Sequence, residues 1–253
     1  MSQPRTVLIT GAAKGIGRAV AEAFDAPGNH LLLLDLDVAE LQGWVAEHSW
    51  QARVETHAAD IADLPRLQAF FQDLSARIGH VDVLVNSAGI CNENEPEDLD
   101  NWHRVISVNL TGTFQVTSLC LPLLASGGRI INMASILGRA GKVRNTAYCA
   151  SKHGIIGMTK ALALDLAPRR ITVNAILPAW IDTPMLQGEL AAQARIAGIS
   201  QQEILRNAKK KLPMRRFIAS AEVAAMVLYL ASPEAGGVTA QSLMIDGGVG
   251  LGM

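Results

Sequence analysis

The sequence is poor in the residues that build disulfide frameworks and metal centres. It has 3 cysteines among 253 residues. Cys91, Cys120 and Cys149 are widely spaced and form no C-x-x-C motif, which argues against a disulfide framework or a zinc site and fits a reducing compartment. The 6 histidines show no metal-ligand spacing. We therefore predict a cytoplasmic protein without a bound metal.

Long apolar runs and an excess of charge of one sign are also missing. No apolar run approaches the roughly 18 residues that span a bilayer. Lys and Arg total 22 against 23 Asp and Glu, so the net charge of -1 provides no basic field for nucleic acid. We expect neither nucleic acid nor a membrane as a partner. The hydrophobic content of 49% suffices for a large core, and the length fits a single domain over residues 1–253.

Short apolar segments alternate with amphipathic segments along the chain. Several apolar segments have no polar face, as in parallel strands that helices cover on both sides. This alternation predicts a doubly wound α/β fold. The predicted strands are residues 6–10, 31–34, 53–58, 81–85, 129–133, 171–176 and 242–245, and the predicted helices begin near Gly15 and cover 64–78, 101–124, 146–167 and 221–231. Residues 183–216 interrupt the alternation with a helical pattern, and we predict that they form a lid over a ligand.

The sequence TGAAKGIG at residues 10–17 follows the first predicted strand and opens a helix. Its glycines permit a tight turn and a close approach of backbone N–H groups to a pyrophosphate at the positive end of the helix dipole. A plain tight turn is the alternative. The context favours a dinucleotide site that includes Gly11, Lys14, Gly15, Ile16 and Gly17.

Asp35 follows the second predicted strand, close to the offset of about 20 residues at which an acidic residue accepts hydrogen bonds from the adenosine ribose. A carboxylate at this place repels a 2′-phosphate and so selects NAD over NADP. Leu36 stands where an arginine would attract that phosphate, whereas Lys14 is a cation that favours it. We give Asp35 more weight than Lys14 and predict NAD as the cofactor. Its alternative role is the N-cap of the next helix.

Three polar residues indicate proton chemistry. Tyr148 and Lys152 have the i, i+4 spacing that puts them on one helix face, and Ser135 follows the strand at 129–133. A cation at about 4 Å supplies roughly the 4 kcal/mol that brings a tyrosine pKa from about 10 to about 7. The Ser135 hydroxyl can hold a substrate oxygen against the tyrosine. The alternative is a core tyrosine beside a surface lysine.

Taken together, these residues resemble the short-chain dehydrogenase/reductase family in its compact single-domain form. The resemblance covers almost the whole chain and implies a Rossmann fold, with a doubly wound parallel seven-stranded sheet and helices on both faces. It also implies a homotetramer. Further matching positions are Asp60, residues 86–89, Asn109, residues 174–178, Thr183 and residues 245–248.

The resemblance assigns roles to individual residues. It implies that Tyr148 is the catalytic acid/base, that Ser135 polarises the carbonyl, and that Lys152 binds the nicotinamide ribose and lowers the pKa of the tyrosine. Asn109 would hold a water that links Lys152 to solvent. The remaining implied cofactor contacts are Asp60 and Ile61 at the adenine, Asn86 on the adenosine side, Ile181 and Thr183 at the carboxamide, and Ala88, Gly89 and Pro178.

Two positions depart from the family pattern. Ser87 replaces an asparagine, which is a mild change, and Ala179 replaces a glycine after Pro178. Because alanine resists a positive φ, we expect the loop geometry or the cofactor contacts at Ala179 to differ slightly from the family pattern.

These features predict an NAD-dependent oxidoreductase that interconverts a secondary alcohol and a ketone. One alternative is an NADPH-dependent 3-oxoacyl thioester reductase, and another is a catalytically silent nucleotide-sensing protein. Arg139, Lys142 and Arg144 lie between Ser135 and Tyr148. Two interpretations are open: one of them pairs with an anionic substrate group, or all three belong to a solvated loop.

Overall fold

The computed structural model describes residues 4–252, and the side chains as far as residue 250. Within this range, seven parallel strands form one sheet in the order β3-β2-β1-β4-β5-β6-β9. The strands are β1 (Thr6–Thr10), β2 (His30–Asp35), β3 (Arg53–Ala58), β4 (Val81–Asn86), β5 (Leu124–Met133), β6 (Thr172–Pro178) and β9 (Ser242–Ile245). The order reverses between β1 and β4, where the chain crosses from one half of the sheet to the other. The predicted fold class is confirmed.

Helices cover both faces of the sheet. They are α1 (Gly15–Ala23), α2 (Val38–Glu47), α3 (Leu64–Arg77), α4 (Leu99–Ile106), α5 (Thr113–Cys120), α6 (Thr146–Leu166), α7 (Pro184–Ala197), α8 (Gln201–Lys211) and α9 (Ser220–Ala231). No helix in the described part of the chain is both long enough and apolar enough to cross a membrane.

The alternation of side chains in β2 divides the core into two layers. Leu31 and Leu33 pack with Val20 of α1 and Val227 of α9 on one face of the sheet. Leu32 and Leu34 pack on the opposite face, against the side of the core that α3, α5 and α6 cover. Because all four leucines are fully buried, β2 is apolar on both faces, as the sequence pattern indicated.

The helix predicted at 101–124 is wrong in two respects. A π-helical turn (Ser107–Gly112) separates α4 from α5, and the helix ends at Cys120. Strand β5 already begins at Leu124, five residues before the predicted start, and its pairing with β4 is irregular near Val81. The early part of β5 was missed because Ser126, Gly127 and Gly128 break the apolar pattern.

The segment at 183–216 forms α7 and α8 between two short paired strands, β7 (Ile181–Asp182) and β8 (Ile218–Ala219). Leu190, Ala208, Leu212 and Phe217 give it a small core of its own. Trp180 stacks on Phe217, with ring centroids 6.1 Å apart. The segment is therefore a packed unit that stands beside the carboxyl end of β6.

Candidate active site

A cavity of about 1160 Å³ opens at the carboxyl ends of the parallel strands. The loops after β1 to β6 line it, and so does α7. This is the edge at which doubly wound sheets bind their ligands, because the loops diverge where the strand order reverses.

The glycine loop after β1 forms one end of the cavity. Gly11 and Gly15 have φ angles of +68° and +56°, in the left-handed region. A Cβ atom on Gly11 would lie 2.7 Å from the Cα atom of Ala88, and one on Gly17 would lie 2.0 Å from the carbonyl oxygen of Gly11. The backbone is therefore closed so tightly that side chains are excluded, and the wall of the cavity here is peptide rather than side chain.

Helix α1 begins at this wall without a side-chain cap. Its N-cap residue, Lys14, makes no capping hydrogen bond, and its first turn holds no acidic residue. In contrast, α2, α3 and α4 are each capped by the carboxylate of an aspartate. The free N–H groups and the positive dipole end of α1 therefore suit the pyrophosphate of a dinucleotide. Gly15 and Ile16 line the cavity, whereas Gly17 does not and serves to close the loop.

Asp35 lies on the cavity wall at the end of β2. Its carboxylate accepts hydrogen bonds from the backbone N–H groups of Ala13 and Asp37, both at 2.9 Å. A carboxylate has about four acceptor positions, so two remain for ribose hydroxyls. The alternative role of Asp35 as an N-cap is wrong, because Asp37 caps α2 by accepting from the Glu40 N–H.

Lys14 is held by two carboxylates beside Asp35. Its ammonium lies 2.8 Å from Glu40 and 3.3 Å from Asp37. Glu40 also contacts Arg18 at 3.3 Å. The hydrogen bond with Glu40 raises the pKa of Lys14. Three carboxylates therefore surround two cations at this end of the cavity, and neither cation is free of a counter-charge.

The opposite end brings Ser135, Tyr148 and Lys152 together on the cavity wall. The Lys152 ammonium is buried and donates to the Met133 carbonyl oxygen at 2.7 Å. Burial lowers the pKa of Lys152 to about 8. Burial raises the pKa of Tyr148, and a side-chain hydrogen bond with Ser135 opposes this shift. For Tyr148 the effect of burial outweighs that of the hydrogen bond, and the lowering of the tyrosine pKa by Lys152 stays a prediction.

Asn109 lies in the π-helical turn and is buried just behind the wall. Its Oδ1 accepts from the Ile90 N–H at 2.8 Å, and its Nδ2 donates to the Ile90 carbonyl at 2.9 Å and to the Ser151 hydroxyl at 3.2 Å. A Cβ atom on Gly89 would meet both Asn109 Oδ1 and Lys152 Nζ, at 3.3 and 3.6 Å. Asn109 therefore sits next to Lys152 and fixes the loop after β4.

Asn86 is also set back from the cavity. Its amide donates to Thr117 at 2.9 Å and to Asn132 at 2.8 Å, within the protein interior. Its neighbours Ala88 and Gly89 line the cavity, so its expected role in supporting the adenosine side stays a prediction.

The other expected cofactor residues line the cavity: Leu36, Asp60, Ile61, Pro178, Ile181 and Thr183. Thr183 also caps α7. Ala179 itself does not adopt a positive φ, because the left-handed residue in this turn is Trp180, with φ of +52°.

Sequence reasoning missed several groups that hold the site. The Thr10 hydroxyl accepts from the N–H groups of Ser87 and Ala88 at 3.1 and 3.2 Å and so joins the loops after β1 and β4. The Met133 carbonyl carries no signal in the sequence. The ion pair between Lys142 and Glu189 joins residues 47 positions apart, which spacing alone does not reveal.

Comparison with known proteins agrees with this geometry. A family model described as enoyl-(acyl carrier protein) reductase matches residues 11–250. The chain is 38% identical over 250 residues to the granaticin polyketide synthase putative ketoacyl reductase 1 of Streptomyces violaceoruber, covering 96% of this chain and 92% of that protein. It is 34% identical to the D-beta-hydroxybutyrate dehydrogenase of Cupriavidus necator, with 98% of each covered.

A solved structure is also similar to this chain. A variant of the actinorhodin polyketide ketoreductase with NADPH superposes with a TM-score of 0.90 and 36% identity, covering 98% of this chain and 97% of that one. The chain belongs to the short-chain dehydrogenase/reductase family, whose members are nucleotide-binding oxidoreductases with a Rossmann fold.

Proposed function

We propose that this protein is an NAD-dependent oxidoreductase that interconverts a secondary alcohol and a ketone. One observation carries the proposal: Ser135, Tyr148 and Lys152 line the same cavity as the glycine loop and Asp35. A dinucleotide that lies along this cavity would present its reactive end to the three residues. When bound, it supplies the hydride chemistry.

The protein's own residues would transfer the proton. Tyr148 keeps its proton at neutral pH, since burial raises its pKa, and its phenol oxygen can therefore donate to a ketone oxygen. The Ser135 hydroxyl hydrogen-bonds the Tyr148 phenol. It would also hold the substrate oxygen in place. Lys152, with a pKa of about 8, changes protonation near neutral pH and can restore the tyrosine proton. Asn109 acts as a positioning residue beside the lysine, where a water relay would begin.

The preference for NAD rests on charge. Asp35 faces the end of the cavity where the adenosine ribose would lie, and Glu40 and Asp37 already neutralise Lys14. A 2′-phosphate would meet three carboxylates against two cations. The NADPH-dependent 3-oxoacyl thioester reductase is the second candidate, because Lys14 is in the glycine loop and the related actinorhodin ketoreductase was solved with NADPH.

We also propose a cytoplasmic homotetramer. Phe114 of α5 and Leu164 of α6 are 51% and 76% exposed, and large apolar side chains of this kind favour burial against another subunit. Light scattering coupled to gel filtration measures the mass directly, and a monomer would contradict the assembly.

The decisive experiment follows reduced nicotinamide formation from NAD and from NADP over a panel of secondary alcohols. Tyr148→Phe should reduce turnover at least about 100-fold, which is the lower end of the range for losing a general acid/base. Tyr229→Phe is the matched control, since Tyr229 is an exposed residue of α9. Turnover with NADP alone would favour the thioester reductase. Tight NADH binding without turnover of any alcohol would favour the nucleotide-sensing protein.

A further inference from the structure

The half of the cavity beyond Tyr148 is mostly apolar. Its walls come from residues 90–91, 136–142 and 184–193, and they include Ile136, Leu137, Met185 and Leu186. Among the residues of these three segments that line the cavity, two are charged, Lys142 and Glu189.

These two residues form an ion pair with each other at the cavity wall. Lys142 belongs to the loop between Ser135 and Tyr148, and Glu189 belongs to α7. Gln193, one turn further along α7, also reaches the Glu189 carboxylate at 3.5 Å. The pair therefore links the catalytic loop to the segment at 183–216, and its two charges cancel within the substrate half of the cavity.

The other cations of the same loop are not offered to a ligand. Arg144 pairs with Glu95 at 2.9 Å, and neither lines the cavity. Arg139 is directed to the Ser242 carbonyl at 3.5 Å. To reach a cation of these three segments, an anionic substrate would have to separate Lys142 from Glu189 and would then lie beside the carboxylate.

We propose that the Lys142–Glu189 pair sets the charge preference of the substrate half, so that the enzyme takes uncharged, largely apolar alcohols and ketones, with Glu189 as the residue that rejects carboxylates. This inference rests on the proposed function and deepens it by naming the substrate class. The field of Glu189 also reaches the reacting group, since it contributes to the raised pKa of Tyr148.

The test compares matched acids and methyl esters, which differ in charge and little in shape. The best neutral alcohol of the panel serves as substrate, and carboxylates of increasing chain length and their methyl esters serve as competitive inhibitors. For the wild type we expect each ester to inhibit at least about tenfold more strongly than its acid, because like charges are rejected and the lysine is occupied.

Glu189→Gln is the informative variant, because it keeps the shape of the side chain and leaves the Lys142 ammonium without its counter-ion. We expect the ratio of acid to ester inhibition constants to fall at least about tenfold. Glu95→Gln is the matched control, as it frees Arg144 outside the cavity and should leave the ratio unchanged.

Each outcome decides a separate point. A wild type that prefers hydroxy acids to their esters, or an unchanged ratio in Glu189→Gln, overturns the charge preference while the proposed function stands. Absence of turnover with every alcohol of the panel overturns the proposed function and this inference with it. Thermal unfolding of each variant verifies that the fold is retained.

Discussion

Asp35 should decide which nicotinamide cofactor binds. The perturbation is Asp35→Asn, which removes the carboxylate charge at the end of β2 and keeps a carbonyl oxygen that can accept one of the two backbone hydrogen bonds from Ala13 and Asp37. The residue is part of the cavity wall and partly exposed, so the adjacent solvent screens its charge without removing it.

The magnitude follows from the charges. Two unit charges about 4 Å apart interact by about 1 kcal/mol in water and about 4 kcal/mol near a protein surface. A 2′-phosphate carries more than one negative charge, so a contact at the partly exposed rim should cost NADP about 2–4 kcal/mol relative to NAD. This corresponds to a ratio of dissociation constants of about 30 to 1000.

The assay is a titration of the protein with NADH and with NADPH, followed by nicotinamide fluorescence at low and high salt. We expect Asp35→Asn to narrow the ratio of dissociation constants at least about tenfold, and Glu40→Gln to narrow it further by releasing Lys14 and Arg18. High salt should also narrow the ratio of the two dissociation constants in the wild type, because it screens the charges. Asp98→Asn is the control, because Asp98 caps α4 away from the cavity and its substitution changes the net charge equally.

Tighter binding of NADPH than of NADH by the wild type would refute the reasoning. So would a ratio that Asp35→Asn leaves unchanged, because the discrimination would then come from shape and not from charge.

Two further predictions concern stability. Gly17→Ala should destabilise the protein by about 2 kcal/mol or more and weaken NADH binding, because its Cβ would lie 2.0 Å from the Gly11 carbonyl. Gly43→Ala in α2, with nothing within 4 Å, should stabilise by about 0.5–1 kcal/mol, and denaturant melts compare the two. The second prediction concerns Lys152, whose pKa falls to about 8 from 10.5. Between these values the unfolded chain binds more protons than the folded one, so the free energy of unfolding should rise with pH, by about 2–3 kcal/mol from about pH 8 to about pH 10 relative to Lys152→Met. Above about pH 10 the raised pKa of Tyr148 acts in the opposite direction, because the unfolded chain loses that proton first. If the free energy of unfolding depends on pH in the same way for the wild type and for Lys152→Met, the lowered pKa of Lys152 is contradicted.

The fold was predictable where burial governs the sequence. Central parallel strands must be apolar on both faces, so β1 was predicted with its observed bounds and β2 within one residue at each end. The edge strand β3 was also predicted with its observed bounds, although it is more polar. Where side chains are small the pattern disappears, and the first half of β5 was missed for that reason. The division of 101–124 into α4, a π-helical turn and α5 also escaped, since all three present the same helical periodicity in sequence.

The site was predictable in its composition and less so in its contacts. The glycine loop and Asp35 carry a physical signal, because a tight turn needs glycines and a ribose needs an acceptor. The glycine loop indicated a cofactor contact for Gly17, and the structure gives Gly17 the task of closing the loop. The family pattern indicated a role for Asn86 on the adenosine side, and the structure directs its side-chain amide into the interior. The pairing of Lys142 with Glu189 depends on how α7 packs over the sheet, which no local pattern encodes.

The residues behind the wall form one connected polar system that begins at the π-helical turn. The Thr113 hydroxyl donates to the Asn109 carbonyl at 2.7 Å, and the Thr117 hydroxyl donates to the Thr113 carbonyl at 2.8 Å. These bonds satisfy carbonyl groups at the place where the helical register changes, which a buried π-helical turn requires. The turn is therefore stabilised by two threonines that the helical pattern alone does not distinguish from core residues.

The same system continues beneath the sheet. Thr117 accepts from Asn86, Asn86 also donates to Asn132, and Asn132 donates to Thr159 of α6 at 2.9 Å. Because a buried polar group that loses its partner costs about 1–3 kcal/mol, each link constrains the next. The chain of bonds thus ties the turn that carries Asn109 to the helix that carries Tyr148 and Lys152. Asn86 and Asn109, which family resemblance treats as separate contacts, act here as parts of one scaffold that fixes the distance between the loop after β4 and the reacting residues.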